Sequence, residues 1–166
     1  MAEDEPNSLP ESALRVARLL REMGHDRPVI MLPQTGKTSA EAAAGLGCEV
    51  AQIAKSIIFR RAADDAPVLV IASGVNRVDE AKVAARVGGL AKADAKFVRA
   101  MTGYAIGGVC PIGHAVRPVM LLDEDLFRYD SLWAAAGHPH AVFSLTPRQL
   151  ADMTGAPVAD VAQRAA

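Results

Sequence analysis

The chain has 166 residues, of which 51% are hydrophobic and only 4% aromatic, and its formal net charge at pH 7 is −1. This length fits a single domain with a core of Ala, Val, Leu and Ile, while the charge argues against a strongly basic nucleic-acid-binding protein. No segment reaches the roughly 18 apolar residues that a membrane span requires, and residues 1–10 lack the apolar stretch of a signal peptide, so we expect a cytoplasmic protein.

The N-terminal part is predicted to be a flexible tail followed by a helix. Residues 1–7 form the tail, and residues 8–166 form one domain. Ser8 and Glu11 have the spacing of a helix capping box. Apolar residues then recur at helical intervals up to Gly24, which suits the end of a helix.

The rest of the chain contains both predicted strands and predicted helices. Residues 27–32 predict a strand, and Thr38 and Glu41 repeat the capping-box spacing at the start of a short Ala-rich helix. The other predicted strands lie at residues 54–61, 67–73, 116–122, 131–136 and 140–145. The other predicted helices lie at residues 78–87 and 94–101, from Thr146, and from residue 158. Because these elements follow no regular βαβ order, we expect a single α+β domain with a mixed, curved, barrel-like sheet flanked by helices.

Lys55 is the residue that most clearly suggests chemistry. Side chains alternate between the two faces of a strand, so Lys55 shares a face with Ile57 and Phe59. An ammonium group on an apolar face is costly unless it points into a pocket or finds a partner. Lys55 is therefore either a pocket lysine that positions a substrate oxygen, or a strand-end lysine whose stem covers apolar surface while its tip reaches water.

A glycine-rich loop over residues 103–114 is the second candidate site. It contains the segment Gly107-Gly108-Val109-Cys110-Pro111-Ile112-Gly113-His114. Glycines allow positive φ and the close approach of a ligand, and successive main-chain N–H groups in such a loop can hold an anion or a developing oxyanion. The alternative is an ordinary Gly/Pro turn, because the segment is neither a P-loop nor a dinucleotide-binding fingerprint.

Histidine and cysteine carry weaker patterns. His114, His138 and His140 lack the ligand spacing of a metal site, so we predict no metal. Cys110 could be a nucleophile with a histidine as its base, but it fits a small packed residue better. Cys48 and Cys110 are expected to be reduced thiols, because two cysteines are too few for a disulfide framework.

The charged residues are distributed unevenly. The acidic residues 123–125 are expected to be solvated at the start of a helix. Residues 77–99 carry six basic and three acidic side chains, a local excess of three positive charges. This stretch, which includes Lys82 and Arg86, is either a modest phosphate-contacting face or an ordinary solvated helix surface.

Several segments, in order along the chain, resemble the YbaK/prolyl-tRNA synthetase-associated editing-domain family. They include Thr38-Ser39-x-Glu41-Ala42-Ala43, Gln52-Ile53-Ala54-Lys55-Ser56, Pro67-Val68-Leu69-Val70, the block from Met101-Thr102-Gly103-Tyr104 through Ile106-Gly107-Gly108-Val109-x-Pro111-x-Gly113, Ala136-Gly137, and Leu145-Thr146-Pro147 with Leu150 and Thr154-Gly155. The ordered combination of the Ile-Ala-Lys strand and the Gly-Gly-x-x-Pro-x-Gly loop is specific, and the resemblance covers residues 8–156.

The resemblance implies a metal-independent hydrolase without a cofactor. Its reaction is cleavage of the aminoacyl ester at the 3′ end of a mischarged tRNA, and the expected substrate is mischarged prolyl-tRNA. It implies that Lys55 is essential, that Gly107 and Gly108 supply main-chain donors to the substrate carbonyl, and that the terminal ribose hydroxyl helps to activate water. The implied partners are aminoacyl-tRNA and prolyl-tRNA synthetase, with Lys82 and Arg86 as the predicted tRNA contacts. The expected substrate-binding residues are Val29, Met31, Thr38, Ser39, Ser56, Pro111, Gly113, His114, Gly137 and His138.

Two other functions fit the same residues. A noncatalytic tRNA- or synthetase-binding module could have kept the fold, although an intact Lys55 and loop favour an enzyme. A hydrolase that depends on Cys110 is the third hypothesis. Some alanine-selective members of the family carry Asn where this chain has Ser56, so the resemblance leaves the removed amino acid open, together with the preferred tRNA and the oligomeric state.

Overall fold

A computed structural model describes residues 9–33 and 38–164. These residues form five α-helices, two short 3₁₀ helices and an eight-stranded sheet. The helices are α1 (Glu11–Glu22), α2 (Ser39–Leu46), α3 (Glu80–Val87), α4 (Ala95–Thr102) and α5 (Pro147–Thr154). The strands are β1 (Ile30–Met31), β2 (Ile53–Arg61), β3 (Pro67–Ser73), β4 (Leu90–Ala91), β5 (Val119–Asp123), β6 (Leu132–Ala135), β7 (Ala141–Leu145) and β8 (Val158–Ala159). The predicted α+β class with a mixed, curved sheet is confirmed.

Local side-chain caps begin two helices where the sequence predicts them. At α2, Thr38 Oγ1 accepts a hydrogen bond from the Glu41 amide, and the Glu41 carboxylate accepts one from the Thr38 amide. At α5, Thr146 and Gln149 form the same reciprocal pair, and Pro147 is the first helical residue. These caps satisfy main-chain N–H groups that have no partner within the helix.

The N-terminal helix α1 has a different start from the predicted one. It begins after Pro10 without a side-chain cap. Ser8 and the predicted tail of residues 1–7 lie outside the described residues. The predicted end is confirmed, because Gly24 has a φ of 78° directly after the helix.

Two other elements differ from their prediction. The strand expected over residues 27–32 is reduced to β1, an edge strand whose preceding Pro28 has no N–H to donate. The segment from residue 158 was expected to be helical, but it forms β8 and pairs in parallel with β5. Pairing with a strand distant in sequence overrides the helix propensity of its alanines. The two-residue strand β4 was not predicted.

The sheet is mixed and has helices on both faces. Its strand order is β1-β7-β6-β2-β3-β5-β8, with β4 pairing separately with β2. On one face, side chains of α1, α4 and α5 pack in a cluster with Leu69 and Ile71; on the other, Val83 of α3 packs with Val68 and Val70. β3 is thus buried on both faces. Within the described residues, none of the helices has the length and hydropathy needed to cross a membrane.

An interruption in strand pairing along β2 positions the site. β2 pairs with β3 along most of its length, but its other edge pairs with β6 only at residues 53–54 and with β4 only at residues 60–61. The Gly74 amide donates to the Ile53 carbonyl, and the Arg61 amide donates to the Ala66 carbonyl. Because alternate residues of an antiparallel pair bond to the partner strand, the main-chain groups of Ser56 and Ile58 point to the unpaired edge.

Candidate active site

A cavity of about 630 Å³ opens beside the unpaired edge of β2. Its walls come from β2, the start of α2, the glycine-rich loop, and the β6–β7 hairpin. The predicted site residues in its lining are Thr38, Ser39, Lys55, Ser56 and Gly107. Most of the remaining lining is apolar, which is typical of a ligand site that holds a few placed polar groups.

Lys55 is the charged residue of this lining. It lies on β2 opposite Ala72 of β3 and is half-buried. Burial lowers the pKa of its ammonium group, attraction to Asp123 opposes this shift, and repulsion by Arg77 adds to it. The charged form of Lys55 is therefore incompletely solvated, and a substrate anion or carbonyl oxygen would stabilise it.

The Asp123 carboxyl group, which attracts the Lys55 ammonium from the other side of β3, is buried and holds the turn after β3. It accepts hydrogen bonds from the Ser73 amide at 3.0 Å, from Asn76 Nδ2 at 2.8 Å and from the Asp125 amide at 2.9 Å. The 3₁₀ helix that starts at Glu124 confirms the predicted helix start. The expected solvation is corrected for Asp123 and Asp125, which are both buried because hydrogen bonds replace their water.

Gly74, which was not predicted as a site residue, lies where the start of α2 approaches the end of β3. A Cβ at this position would collide with the Val50 carbonyl oxygen and lie 2.8 Å from Ser39 Cβ. A residue without a side chain is thus needed for the start of α2 to form a wall of the cavity. The only sequence signal for this was a lone glycine at the end of an apolar strand.

The two loop glycines have different positions. Gly107, with a φ of 93°, lines the cavity, and its amide donates to no group among the described residues. Gly108 is buried behind it, and its amide donates to the Ala105 carbonyl at 3.0 Å. Of the two amides expected to face the substrate carbonyl, only that of Gly107 is therefore free, because the turn itself uses that of Gly108.

Gly108 packs directly on the β6–β7 turn. A Cβ at Gly108 would lie 2.9 Å from the His138 amide nitrogen and 3.1 Å from the Gly137 carbonyl carbon. Gly137 in turn packs on α1, where its Cβ would lie 2.7 Å from the Ser12 carbonyl oxygen. Gly137 and His138 support the loop from behind, while the next residue, Pro139, lines the cavity.

Pro111, Gly113 and His114 line a separate cavity of about 210 Å³. His114 Nε2 lies 2.6 Å from the Cys110 carbonyl oxygen, and burial lowers the pKa of its imidazole. The structure thus separates these three residues from Lys55. Cys110 is fully buried, and burial raises the pKa of its thiol to about 12, which disfavours the thiolate that a nucleophilic cysteine requires.

Val29 and Met31, which were expected in the pocket wall, are not in the lining of either cavity. Val29 packs against the main core, and the Met31 side chain is 40% exposed. Instead, Ala141 and Val142 of β7, the strand to which β1 is paired, line the larger cavity. The edge position of β1 keeps its residues one strand away from the site.

The predicted tRNA contacts lie on α3, outside the cavity lining. Lys82 Nζ donates to Asp160 Oδ2 at 2.9 Å and to the Ala162 carbonyl at 2.8 Å, so its charge is already paired. Arg86 is exposed. A groove of about 360 Å³ includes Lys92 and Lys96, which belong to the predicted basic stretch of residues 77–99, together with Arg60, which was not predicted.

The histidines are divided between the two sides of the loop. The rings of His138 and His140 lie 5.6 Å apart, and His114 belongs to the separate cavity. Among residues 9–33 and 38–164, no three His, Cys, Asp or Glu side chains come together as a metal-ligand set.

The single tryptophan, Trp133, lines the larger cavity. It was not predicted as a site residue, because nothing in its local sequence pattern distinguishes it from a core residue.

The sequence from α2 to α5, which carries all walls of the cavity, matches a known family. The model of the aminoacyl-tRNA editing domain matches residues 34–153. The chain belongs to the aminoacyl-tRNA editing domain family. This editing domain is also 31% identical over 134 residues to the uncharacterized protein YwhH of Bacillus subtilis (strain 168), covering 80% of this chain and 85% of that protein.

Solved structures share the fold of the editing domain. A protein described as a candidate trans-editing enzyme for prolyl tRNA synthetase matches with a TM-score of 0.88 and 43% identity, covering 94% of this chain and 99% of the other. The hypothetical protein APE2540 matches with a TM-score of 0.83 and 29% identity, and the match covers 90% of this chain and 99% of the other. The family resemblance found from the sequence motifs is therefore confirmed.

Proposed function

We propose that this editing domain is a trans-acting aminoacyl-tRNA deacylase that hydrolyses the ester of mischarged prolyl-tRNA without a metal ion. The observation that carries the proposal is the half-buried Lys55 in a mainly apolar cavity of about 630 Å³ that Gly107 also lines. Burial disfavours its charge in the free protein, and a substrate that brings negative charge reverses this cost. The likeness to the candidate trans-editing enzyme supports the substrate class and makes prolyl-tRNA synthetase a proposed partner.

The proposed reaction needs donors for a developing oxyanion. The oxygen of water bonds to the ester carbonyl carbon, and the bond from that carbon to the ribose oxygen breaks; the ribose oxygen leaves with a proton. Negative charge develops on the carbonyl oxygen before that bond breaks. The Lys55 ammonium and the Gly107 amide are the cavity groups that we assign to this charge and to the orientation of the terminal nucleotide.

The substrate itself is proposed to activate the water. The described lining of the cavity contains no histidine, aspartate or glutamate that could act as a general base. We therefore propose that the terminal ribose hydroxyl of the tRNA helps to activate the water, as the family resemblance implies. We propose that the reaction needs no metal ion, as the family resemblance implies.

Single-turnover deacylation of mischarged prolyl-tRNA tests the proposal. Lys55→Ala is expected to lower the rate by about 10²–10³-fold, because it removes a positioned electrostatic group. Lys55→Arg is expected to restore only part of the rate, because the guanidinium is wider and planar. Wild-type activity should survive a metal chelator.

The matched control is Arg148→Ala, which removes an exposed cation of α5 outside the cavity lining and should leave the rate unchanged. Thermal melts of all variants show that each is folded. A folded Lys55→Ala protein with a near-normal rate would contradict the proposed mechanism. A wild-type protein that binds tRNA but hydrolyses none of the mischarged substrates would instead be a noncatalytic binding module.

A further inference from the structure

The glycine-rich loop has little main-chain support of its own. The Gly108 amide bonds to the Ala105 carbonyl, but none of residues 109–114 forms a hydrogen bond between main-chain groups with another described residue. A segment without such bonds needs other partners for its polar groups and other contacts to fix its path. The position of the Gly107 amide therefore depends on the side chains that hold residues 109–114.

Carbonyl groups of this loop accept hydrogen bonds from side chains instead. The buried Tyr104 donates from its hydroxyl to the Ile112 carbonyl at 2.8 Å, and Arg15 of α1 donates to the Gly113 carbonyl. The Arg15 guanidinium also lies over the Tyr104 ring, 5.2 Å from its centroid, which is within the range of a cation–π interaction. One side chain of α1 therefore contacts both a loop carbonyl and the ring that holds the neighbouring carbonyl.

The face of α1 that carries Arg15 approaches the loop closely. A Cβ at Gly113 would lie 2.7 Å from Leu19 Cδ2, and a Cβ at Gly103 would lie 3.4 Å from Arg15 Nη1. Arg15 and Leu19 are four residues apart and thus share one face of the helix. The contact brings to the loop a helix that precedes residues 34–153, the segment that the family model matches.

Resting on the proposed deacylase function, we propose that Arg15 is a positioning residue that holds the glycine-rich loop so that the Gly107 amide faces the ester carbonyl of the substrate. Arg15 lies outside the described cavity lining, so it acts through the loop. It ties Gly113 to α1, while Gly137 packs between the same helix and Gly108. Because one helix holds the loop at two points, the neighbouring Gly107 amide needs little reorganisation when the oxyanion forms.

Single-turnover deacylation of mischarged prolyl-tRNA over a range of protein concentrations tests this role. Arg15→Ala should lower the maximal rate about tenfold and leave the half-saturating concentration unchanged, because a displaced oxyanion donor affects the transition state rather than substrate binding. The loss should be smaller than the ~10²–10³-fold cost of deleting such a donor, since the amide is still present. Arg15→Lys should recover part of the rate, because it keeps a charged donor but not the planar guanidinium.

The matched control is Arg18→Ala, which removes another exposed cation from α1 and should change neither value. Alanine is a good helix former at both exposed positions, and thermal melts check that each variant is folded. A maximal rate of Arg15→Ala close to that of the wild type, or an equal loss in Arg18→Ala, would overturn the inference. So would a raised half-saturating concentration with an unchanged maximal rate, which would make Arg15 a tRNA contact.

Amide hydrogen exchange of the free protein tests the same contact independently of catalysis. The Gly108 amide, which donates to the Ala105 carbonyl, should exchange about tenfold faster in Arg15→Ala, because the loop loses one hydrogen bond and one cation–π contact. In Arg18→Ala it should exchange as in the wild type. Unchanged exchange in Arg15→Ala would overturn the inference even if the rate falls. Faster exchange in a protein that hydrolyses none of the mischarged substrates would leave the contact with α1 standing and contradict only the deacylase function.

Discussion

Lys55 combines a charge with partial burial, and under the proposed mechanism this combination decides how the rate of deacylation depends on pH. Burial is the main reason that its pKa lies below the ordinary value of 10.5, and Asp123 limits the shift. The ammonium form is the one that can stabilise an oxyanion. A neutral amine would keep the packing of the side chain but lose the electrostatic contribution.

The alkaline limb of the pH–rate profile tests this state. The value of kcat/KM, corrected for spontaneous ester hydrolysis, should be full below the folded-state pKa of Lys55. It should fall as the pH rises through that pKa, at a pH below 10.5. In Lys55→Arg the limb should disappear from the accessible range, because a guanidinium stays protonated. A limb at the same pH in both proteins would assign it to another group.

The glycine-rich loop and the β6–β7 turn act as one packed element. Gly108 approaches the main chain of Gly137 and His138, and Gly137 approaches α1. Main-chain atoms cannot rotate away as a side chain does, so a methyl group at this contact must shift the whole loop. Because Gly107 is the neighbouring residue, such a shift would also move the free amide in the cavity.

Gly108→Ala is therefore expected to lower the free energy of unfolding by about 1–3 kcal/mol and to slow deacylation as well. Urea denaturation measures the first effect, and single-turnover kinetics the second. Gly89→Ala is the matched control, because a Cβ at Gly89 meets no atom within 4 Å. Equal stability of the two variants would show that the loop and the turn can move apart to accommodate a methyl group at little cost in free energy.

At the scale of the whole molecule, a net charge of −1 means that tRNA binding depends on where the basic side chains lie. The groove of Arg60, Lys92 and Lys96 adjoins the cavity, because Ala93, between Lys92 and Asp94, lines the cavity itself. Among the described residues, neither Lys92 nor Lys96 forms an ion pair. Lys82 on α3, by contrast, already pairs with Asp160.

The salt dependence of binding to uncharged tRNA separates the groove from α3. The double variant Lys92→Ala/Lys96→Ala should weaken binding and lower the slope of log K against log salt by about 1.4–1.8, because two phosphate contacts are lost. Arg86→Ala should change the slope less, and Arg148→Ala should not change it. A larger change in Arg86→Ala than in the double variant would place the tRNA on α3, as the sequence alone suggests.

The amino-acid sequence by itself determined the features that depend on neighbouring residues. The caps at Thr38 and Thr146 are reciprocal hydrogen bonds over three residues, and β3 is one continuous apolar run. The face of β2 on which Lys55 lies follows from alternation along the strand, and the family of the chain follows from the ordered motifs. Such features can be read along the chain because their partners lie within a few positions.

The tertiary structure decided which distant residues meet. The unpaired edge of β2 exists because β6 and β4 each pair with it at only two residues, and no local pattern specifies how far those strands reach. Likewise, the use of the Gly108 amide within its turn, the pairing of Lys82 with Asp160 and the separation of His114 from Lys55 depend on the three-dimensional path of the chain. The cavity and the unpaired main-chain groups of Ser56 and Ile58 arise where these long-range contacts stop, since an incomplete sheet leaves main-chain polar groups without partners.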